Sequence, residues 1–489
     1  MDKQDDVETP LLRPRLPAWW RVIPSLMLLM MISTIDSLIL NDFIEYRYTN
    51  LYKLNSSTSE NTRELCLNAT RTIHNSSAAI STTTSIYPIS TTMSWNTIIQ
   101  SATARLNVYI SLAATIPTIL TSIVFGSNCD QIGRKPLIVL PYFGKIIRYI
   151  ILTAVAYYDL SNIWIILSVM FDGLFGTTAL NILSAFAYVT DCTTEKTRTV
   201  GIIITDVCIG CSRFIPLLTI GIYLQQPKFI QSMTITLFLS VIGLIFCVVL
   251  QPESNLDVQH LNFIQQLKRV KLNLVKNVFR VFFVKRSEHQ QRSLLFLVII
   301  HLLIVVMIMG NMSVIYLFLY GTPFCLDSFG VSLNSVAQTA SVVLLTIPFT
   351  LTIAKRSDHL ILPALGCLAY MTQLVLFGIA QKLWILYVAV CIGAWYSVLT
   401  PVVRSRITKL VEPTEYAVVF ILASVFESGG YYAISALANE IYRVSLTFYP
   451  GLVYFVFATV GVVAILLMLI LYILEYQPAP KRKLLNLND

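Results

Sequence analysis

The sequence predicts an all-α membrane protein with twelve transmembrane helices arranged as two six-helix halves, and three observations carry that prediction. Hydrophobic residues make up 56% of the 489 residues and charged residues only 12%, against roughly 25% charged in an ordinary soluble domain. A window of about 20 residues, the length that crosses about 30 Å of hydrocarbon at 1.5 Å per residue, picks out twelve apolar runs. One polar stretch, 251–293, separates six runs from six, as expected of a chain built from two repeated halves.

Taken in order, the tail 1–21 mixes acidic, basic and proline residues without the short apolar core or small-residue cleavage site of a signal peptide. The first half, 22–250, holds spans at about Val22 to Leu40, Asn107 to Phe125, Leu137 to Tyr157, Ile163 to Tyr188, Val200 to Ile222 and Phe229 to Leu250. The second half, 294–472, holds spans at about Leu294 to Tyr316, Ser332 to Ile353, Leu360 to Gln381, Leu383 to Val403, Tyr416 to Ala438 and Gly451 to Tyr472. A tail, 473–489, follows. Most of the 35 Lys and Arg fall in the tails and in the loops after even-numbered spans. Cytosolic loops carry the basic excess, so both termini are expected in the cytosol. The formal charge of +9 is therefore a topology signal, and no basic and aromatic stripe of a nucleic-acid surface accompanies it.

Between spans one and two, the loop 41–106 is rich in Ser, Thr and Asn and is expected on the outer side. It carries glycosylation sequons at Asn55, Asn68 and Asn75; Asn311-Met312-Ser313 also matches but lies inside span seven. Of nine cysteines, only Cys66 and Cys325 fall on the oxidising side, where disulfides persist. A bridge tying the halves and two unrelated thiols both fit that placement. No Cys/His cluster has metal-ligand spacing, so neither a metal nor a cofactor is expected. In the central linker, Phe263, Leu267, Val270, Leu274 and Val278 recur at helical spacing among Lys268, Arg269, Lys271, Lys276 and Arg280. That pattern predicts an amphipathic helix on the anionic lipid of the inner leaflet. Beyond that lipid, no obligate protein partner is evident.

The loop after span two reads Gly126-Ser127-Asn128-Cys129-Asp130-Gln131-Ile132-Gly133-Arg134-Lys135. Glycines let helix ends turn sharply, Asp130 can face the positive end of a helix, and Arg134 and Lys135 anchor the cytosolic side. This G-x-x-x-D-x-x-G-R-K pattern resembles the signature loop of the major facilitator superfamily of transporters. Further stretches narrow the resemblance: Thr322-Pro323-Phe324-Cys325-Leu326-Asp327-Ser328, Thr400-Pro401-Val402-Val403-Arg404-Ser405-Arg406, and Ala187-Tyr188-Val189-Thr190-Asp191 followed by Arg198-Thr199. With Tyr449-Pro450-Gly451 they are similar to solute carrier family 46, across most of the chain from span two to span twelve. That resemblance implies solute transport driven by protons, and a disulfide between Cys66 and Cys325.

Ionisable residues inside spans are costly and mark function, which selects the site residues. Asp206 in span five falls where the family carries an acidic residue linked to proton coupling, so the resemblance implies the proton there; the alternative is permanent pairing with Arg213. Arg213 lies seven residues on, on the same face and about 10 Å along the axis. It is expected to read an anionic substrate or to pair with Asp172 or Glu427. Asp172, Arg404 and Glu427 complete the substrate set, the first two because spans one, four, seven and ten line the cavity in the superfamily, with Arg404 reading equally as a cytosolic topology charge. Lys145 and Arg148, three apart in span three, read instead as snorkelling or headgroup contacts. Two departures separate this chain from the folate-transporting pattern. Ile308 stands where that pattern has a histidine, with His301 lower in the span and expected at the interface. Asp36-Ser37 replaces a Gly-Pro and adds an intramembrane acid.

The expected function is secondary-active transport of a small organic anion or amphipathic solute by proton symport, at the plasma or an endolysosomal membrane. An uncoupled facilitator and a non-transporting receptor or scaffold are the alternatives. Nucleotide-driven pumping is excluded by the lack of a P-loop.

Overall fold

A computed structural model describes residues 17–53, 95–271, 273, 288–346, 361–410 and 416–476. The sequons at Asn55, Asn68 and Asn75, and Cys66, lie outside the described residues, as does the side chain of Asp206. The first half contributes α1 (Ile23–Lys53), α2 (Trp95–Ser127), α3 (Lys135–Tyr158), α4 (Asn162–Leu174), α5 (Thr177–Cys192), α6 (Glu195–Cys211), α7 (Phe214–Tyr223) and α8 (Phe229–Leu250). The second contributes α9 (Glu288–Tyr320), α10 (Ser328–Ser341), α11 (Ile361–Ile379), α12 (Leu383–Gly393), α13 (Leu399–Leu410), α14 (Tyr416–Ser445) and α15 (Leu452–Tyr476).

Among the described residues, ten helical segments are long and apolar enough to cross a bilayer. The remaining two expected spans are the broken pair α6 and α7, whose apolar stretch is Val207–Tyr223, and the 30-residue α14. Helix α1 runs on to Lys53 and α2 begins at Trp95, so both reach well into the expected loop 41–106. Hydropathy stops a window at Asp42 and Glu45. The helix continues because Phe43, Ile44, Ile99 and Leu106 bury their side chains.

Several spans are interrupted near their middle. Span four breaks between α4 and α5, where Gly176 has φ +86° and Thr177 φ +50°. A Cβ on Gly176 would lie 2.7 Å from the Leu180 side chain, so glycine alone fits this turn. Span five breaks at Ser212 and Arg213. Span ten passes through a tight turn, Ala394–Val398, between α12 and α13. Interrupted helices are where membrane transporters place polar backbone beside a cavity.

The two halves meet chiefly through α2 against α14 and α7 against α10. At the end of the molecule remote from Gly126 to Lys135, the Gln100 amide donates to the Leu317 carbonyl (3.2 Å) and the Tyr442 hydroxyl donates to Gln100 Oε1 (2.9 Å). There too Ser328 donates to Asp42 Oδ2 (3.0 Å). Gly221 lets α7 and α10 touch: a Cβ there would lie 2.4 Å from Ser332 Oγ.

Candidate functional site

A cavity of about 450 Å3 lies between the halves and takes its wall from both. From the first half come Asp36 and Asn41 of α1, Asn107 of α2, Lys145 and Arg148 of α3, and Arg213 at the break in span five. From the second come Asn311 and Tyr316 of α9, Gln338 of α10, Tyr396, and Glu427 and Tyr432 of α14. Tyrosines and amides therefore alternate with a few charges, the mixture that suits a solute with an apolar body and polar ends.

The most concentrated charge is a quartet buried in the first half. Lys145 Nζ lies 2.7 Å from Asp172 Oδ2 and 3.3 Å from Asp36 Oδ2. The Arg148 guanidinium lies 3.0 Å from Asp36 Oδ1 and 3.7 Å from Asp172 Oδ2. Tyr149 donates to Asp36 Oδ1 at 3.0 Å. Lys145 and Arg148 are each 3% exposed and Asp172 0%. The expectation that these two basic residues snorkel from a peripheral helix is thus corrected: α3 packs against α4, α5 and α8 and turns both cations inward. Gly144 makes this possible, since a Cβ there would lie 2.8 Å from Phe175 Cβ and 3.1 Å from Asp172 Oδ1. Burying four charges is tolerable only because each carboxylate meets both cations.

Asp172 is one wall deeper than expected of a substrate ligand. It touches Lys145 and is not on the cavity surface, whereas Asp36, expected as an added intramembrane acid, is. Arg404 pairs with Glu427 and is likewise set back, with only Glu427 reaching the cavity. His301, expected at the interface, is 3% exposed with Nε2 3.5 Å from Glu427 Oε1. Asn311 is buried within α9 and donates to the Tyr370 hydroxyl at 2.8 Å, a cavity residue and not a glycosylation site.

Arg213 is different from all of these. Neither Asp172 nor Glu427 pairs with it, and among the described residues it has no hydrogen-bond or ion-pair partner for its guanidinium. Asp206 lies on α6, in the other arm of the same broken span.

The Gly126 to Lys135 loop is knitted into the first half. Gly133 has φ +96°, and beyond it Arg134 bonds Asp191 (2.9 Å) and Asp130 (2.6 Å). Glu253 of the linker accepts from the backbone N–H groups of Arg134 (2.8 Å), Lys135 (3.0 Å), Ser254 (3.0 Å) and Asn255 (3.1 Å). That carboxylate caps the first turn of α3, where free N–H groups favour negative charge. Burial pushes the Cys129 thiol beside Arg134 up to about 11, so it is a neutral thiol at physiological pH. Linker residues Leu267 and Val270 pack against the cluster around Ile132, Leu137 and Leu180. Of the expected amphipathic helix the described residues show one turn, Phe263–Leu267, in which Ile264 is exposed while Leu267 and the following Val270 meet protein, and Leu274, Lys276, Val278 and Arg280 lie outside the described residues. Cys325 is buried and is not among the free thiols, and Cys66 lies outside the described residues.

Among the described residues no group of three His, Cys, Asp or Glu could hold a metal ion. Comparison with known proteins agrees with the architecture. The family model described as Major Facilitator Superfamily matches residues 76–435. The chain is 24% identical over 360 residues to the lysosomal proton-coupled steroid conjugate and bile acid symporter SLC46A3 of Gallus gallus, covering 72% of this chain and 76% of that protein. It is 20% identical over 356 residues to the proton-coupled folate transporter of Bos taurus, covering 72% and 75%. Among solved structures, the human organic anion transporter MFSD10 superposes with a TM-score of 0.62 at 14% identity, over 92% of this chain and 100% of that one. That last likeness concerns the fold.

Proposed function

We propose a function on one premise: this chain belongs to the Major Facilitator Superfamily. It is a multi-pass membrane transporter and not an enzyme. We infer that it carries an organic anion or amphipathic organic solute, together with a proton, by opening the central cavity to each side in turn. Arg213 is the observation that carries this reading. It is a cation on the cavity wall with no ionic partner among the described residues, while Lys145, Arg148, Asp36 and Glu427 are all compensated. An uncompensated arginine at a helix centre costs about 2.5–3.5 kcal/mol in a bilayer, and an anionic ligand offsets that cost. The tyrosines and amides around it suit the rest of such a molecule.

The relatives' names support the same class, since steroid conjugates, bile acids and folates are anionic amphiphiles and both names specify proton coupling. On the family resemblance, Asp206 is one place for the proton, and a plasma or endolysosomal membrane with cytosolic termini is the setting. Uptake of labelled steroid sulfates, bile acids, folates and peptidoglycan fragments at acidic and neutral outer pH tests the reading. An active anion should lose affinity in Arg213→Ala. A charge-assisted hydrogen bond worth about 1.5–3 kcal/mol corresponds to a half-saturating concentration raised on the order of tenfold to a hundredfold. An unchanged half-saturating concentration would remove Arg213 from recognition, and no uptake of any anion would remove transport of this class.

A further inference from the structure

The quartet is not symmetric with respect to the cavity. Asp172 is fully buried behind the wall and makes the 2.7 Å contact to Lys145. Asp36 is 8% exposed, lies on the cavity surface with Lys145 and Arg148, and holds Lys145 at the longer 3.3 Å. It is the one carboxylate of the four charges that a ligand in the cavity can displace. The charged and titratable groups facing it are Lys145, Arg148 and Tyr149 of α3, Asp172 of α4, and Tyr431 and Tyr432 of α14 across the half boundary. Two cations are thus balanced by one inaccessible and one accessible acid.

We propose that Asp36 carries the proton of the transport cycle and that Lys145 and Arg148 receive the anionic group of the substrate once Asp36 is neutral. The inference rests on the reading of the chain as an organic-anion transporter, moves the proton from Asp206 to Asp36, and adds Lys145 and Arg148 to Arg213, which lines the same cavity, as the cations that meet the anionic group of the solute. In the empty carrier, the Asp36 carboxylate occupies the place of a substrate anion, with two carboxylates facing two cations. A proton from water on the acidic side adds to an Asp36 oxygen. The quartet then has one positive charge in excess, and a carboxylate or sulfate of the solute takes the vacated place on Arg148 and Lys145. On the other side the anion leaves, the proton returns to water and Asp36 re-forms its ion pairs. Empty and fully loaded forms are both neutral. A form carrying only the proton or only the anion leaves one buried charge without its partner, which is strongly unfavourable. That difference links one proton to one monoanionic group, so the preferred cargo carries one carboxylate or sulfate at this position.

The full-length protein in proteoliposomes decides the matter, with labelled estrone 3-sulfate and cholate as probes and outer pH varied. For wild type, the half-saturating concentration should fall as the outer side is acidified, by at most about tenfold per pH unit, the limit for a single linked proton. Asp36→Asn fixes the neutral form. It should bind at neutral pH about as well as wild type does at acidic pH, vary by less than about twofold across the range, exchange anions, and fail to concentrate them. Asp36→Glu should restore the slope, and Asp206→Asn should keep it. If Asp36→Asn does not reach the membrane, Asp36→Ser, which is likewise neutral and leaves Lys145 and Arg148 in place, takes its place, read only where uptake is retained. A flat profile there supports the proposal, and a wild-type slope overturns it. A wild-type slope in Asp36→Asn overturns this inference alone, whereas a wild type indifferent to pH overturns it together with the proton coupling of the proposed function and leaves anion transport standing. A wild type that takes up neither anion overturns the transport reading and this inference with it.

Discussion

At the scale of single residues, Asp172 shows what a buried acid contributes to the fold. It sits at the end of α4 with no exposure and holds Lys145 at 2.7 Å. Removing one partner of a buried ion pair costs about 3–5 kcal/mol, because the other charge stays buried without it. Asp172→Ala should therefore lower the thermal midpoint of the purified protein and its surface abundance. The double variant Asp172→Asn with Lys145→Gln should recover both, and equal stability of single variant and wild type would show that the quartet contributes nothing. The sequence made Asp172, Arg213 and Glu427 conspicuous because an ionisable residue inside an apolar run is rare. It concealed Lys145 and Arg148, since two basic residues three apart read equally as snorkelling from a peripheral helix. Asp36 supplied the missing signal: two intramembrane acids in spans one and four need two cations, and span three holds the nearest pair without an assigned partner.

At the scale of elements, the apolar windows locate the spans because each run must cover the hydrocarbon, and that requirement is written in composition. They miss the extensions of α1 to Lys53 and of α2 back to Trp95, where burial against neighbouring helices sustains a helix that hydropathy no longer marks. The breaks in spans four and five are equally silent to a window, since Gly176 and Arg213 barely alter an average. In the linker, spacing alone does not say which apolar residues meet lipid: Leu267 and Val270 pack on the protein. Gly133 tests how firmly linker and helix are joined. At φ +96° and ψ 172°, a region essentially reserved for glycine, any side chain is strained by about 1–3 kcal/mol, and a Cβ would lie 2.5 Å from Glu253 Oε2, the carboxylate that caps α3. Gly133→Ala should therefore reduce surface abundance several-fold without altering substrate affinity in the protein that arrives. Normal abundance would mean that Glu253 moves aside at no cost.

At the scale of the whole molecule, the contacts between halves described above gather, among the described residues, at the end remote from Gly126 to Lys135, while Asp130 at the other end keeps 73% of its side chain exposed. Arg134 meanwhile bonds partners within its own half. Alternating access requires this arrangement to be one of two, with the remote contacts broken in the other. Ser111 of α2 and Ser435 of α14 offer a direct test, because their hydroxyls meet across the half boundary at 3.0 Å on the cavity wall. Side chains that close suit a disulfide, whose Cβ atoms are about 3.5–4.5 Å apart. Ser111→Cys with Ser435→Cys should therefore crosslink under a membrane-permeant oxidant, stop uptake, and regain it on reduction, while either single variant ignores the oxidant. The crosslink fixes α2 against α14 without touching Asp36, Lys145 or Arg148. The locked protein should therefore still bind labelled anion from the one side to which its cavity is open, and lose binding from the other. Full uptake through a quantitatively crosslinked protein would mean that the halves do not separate along α2 and α14, and that the cavity is reached by a smaller local motion.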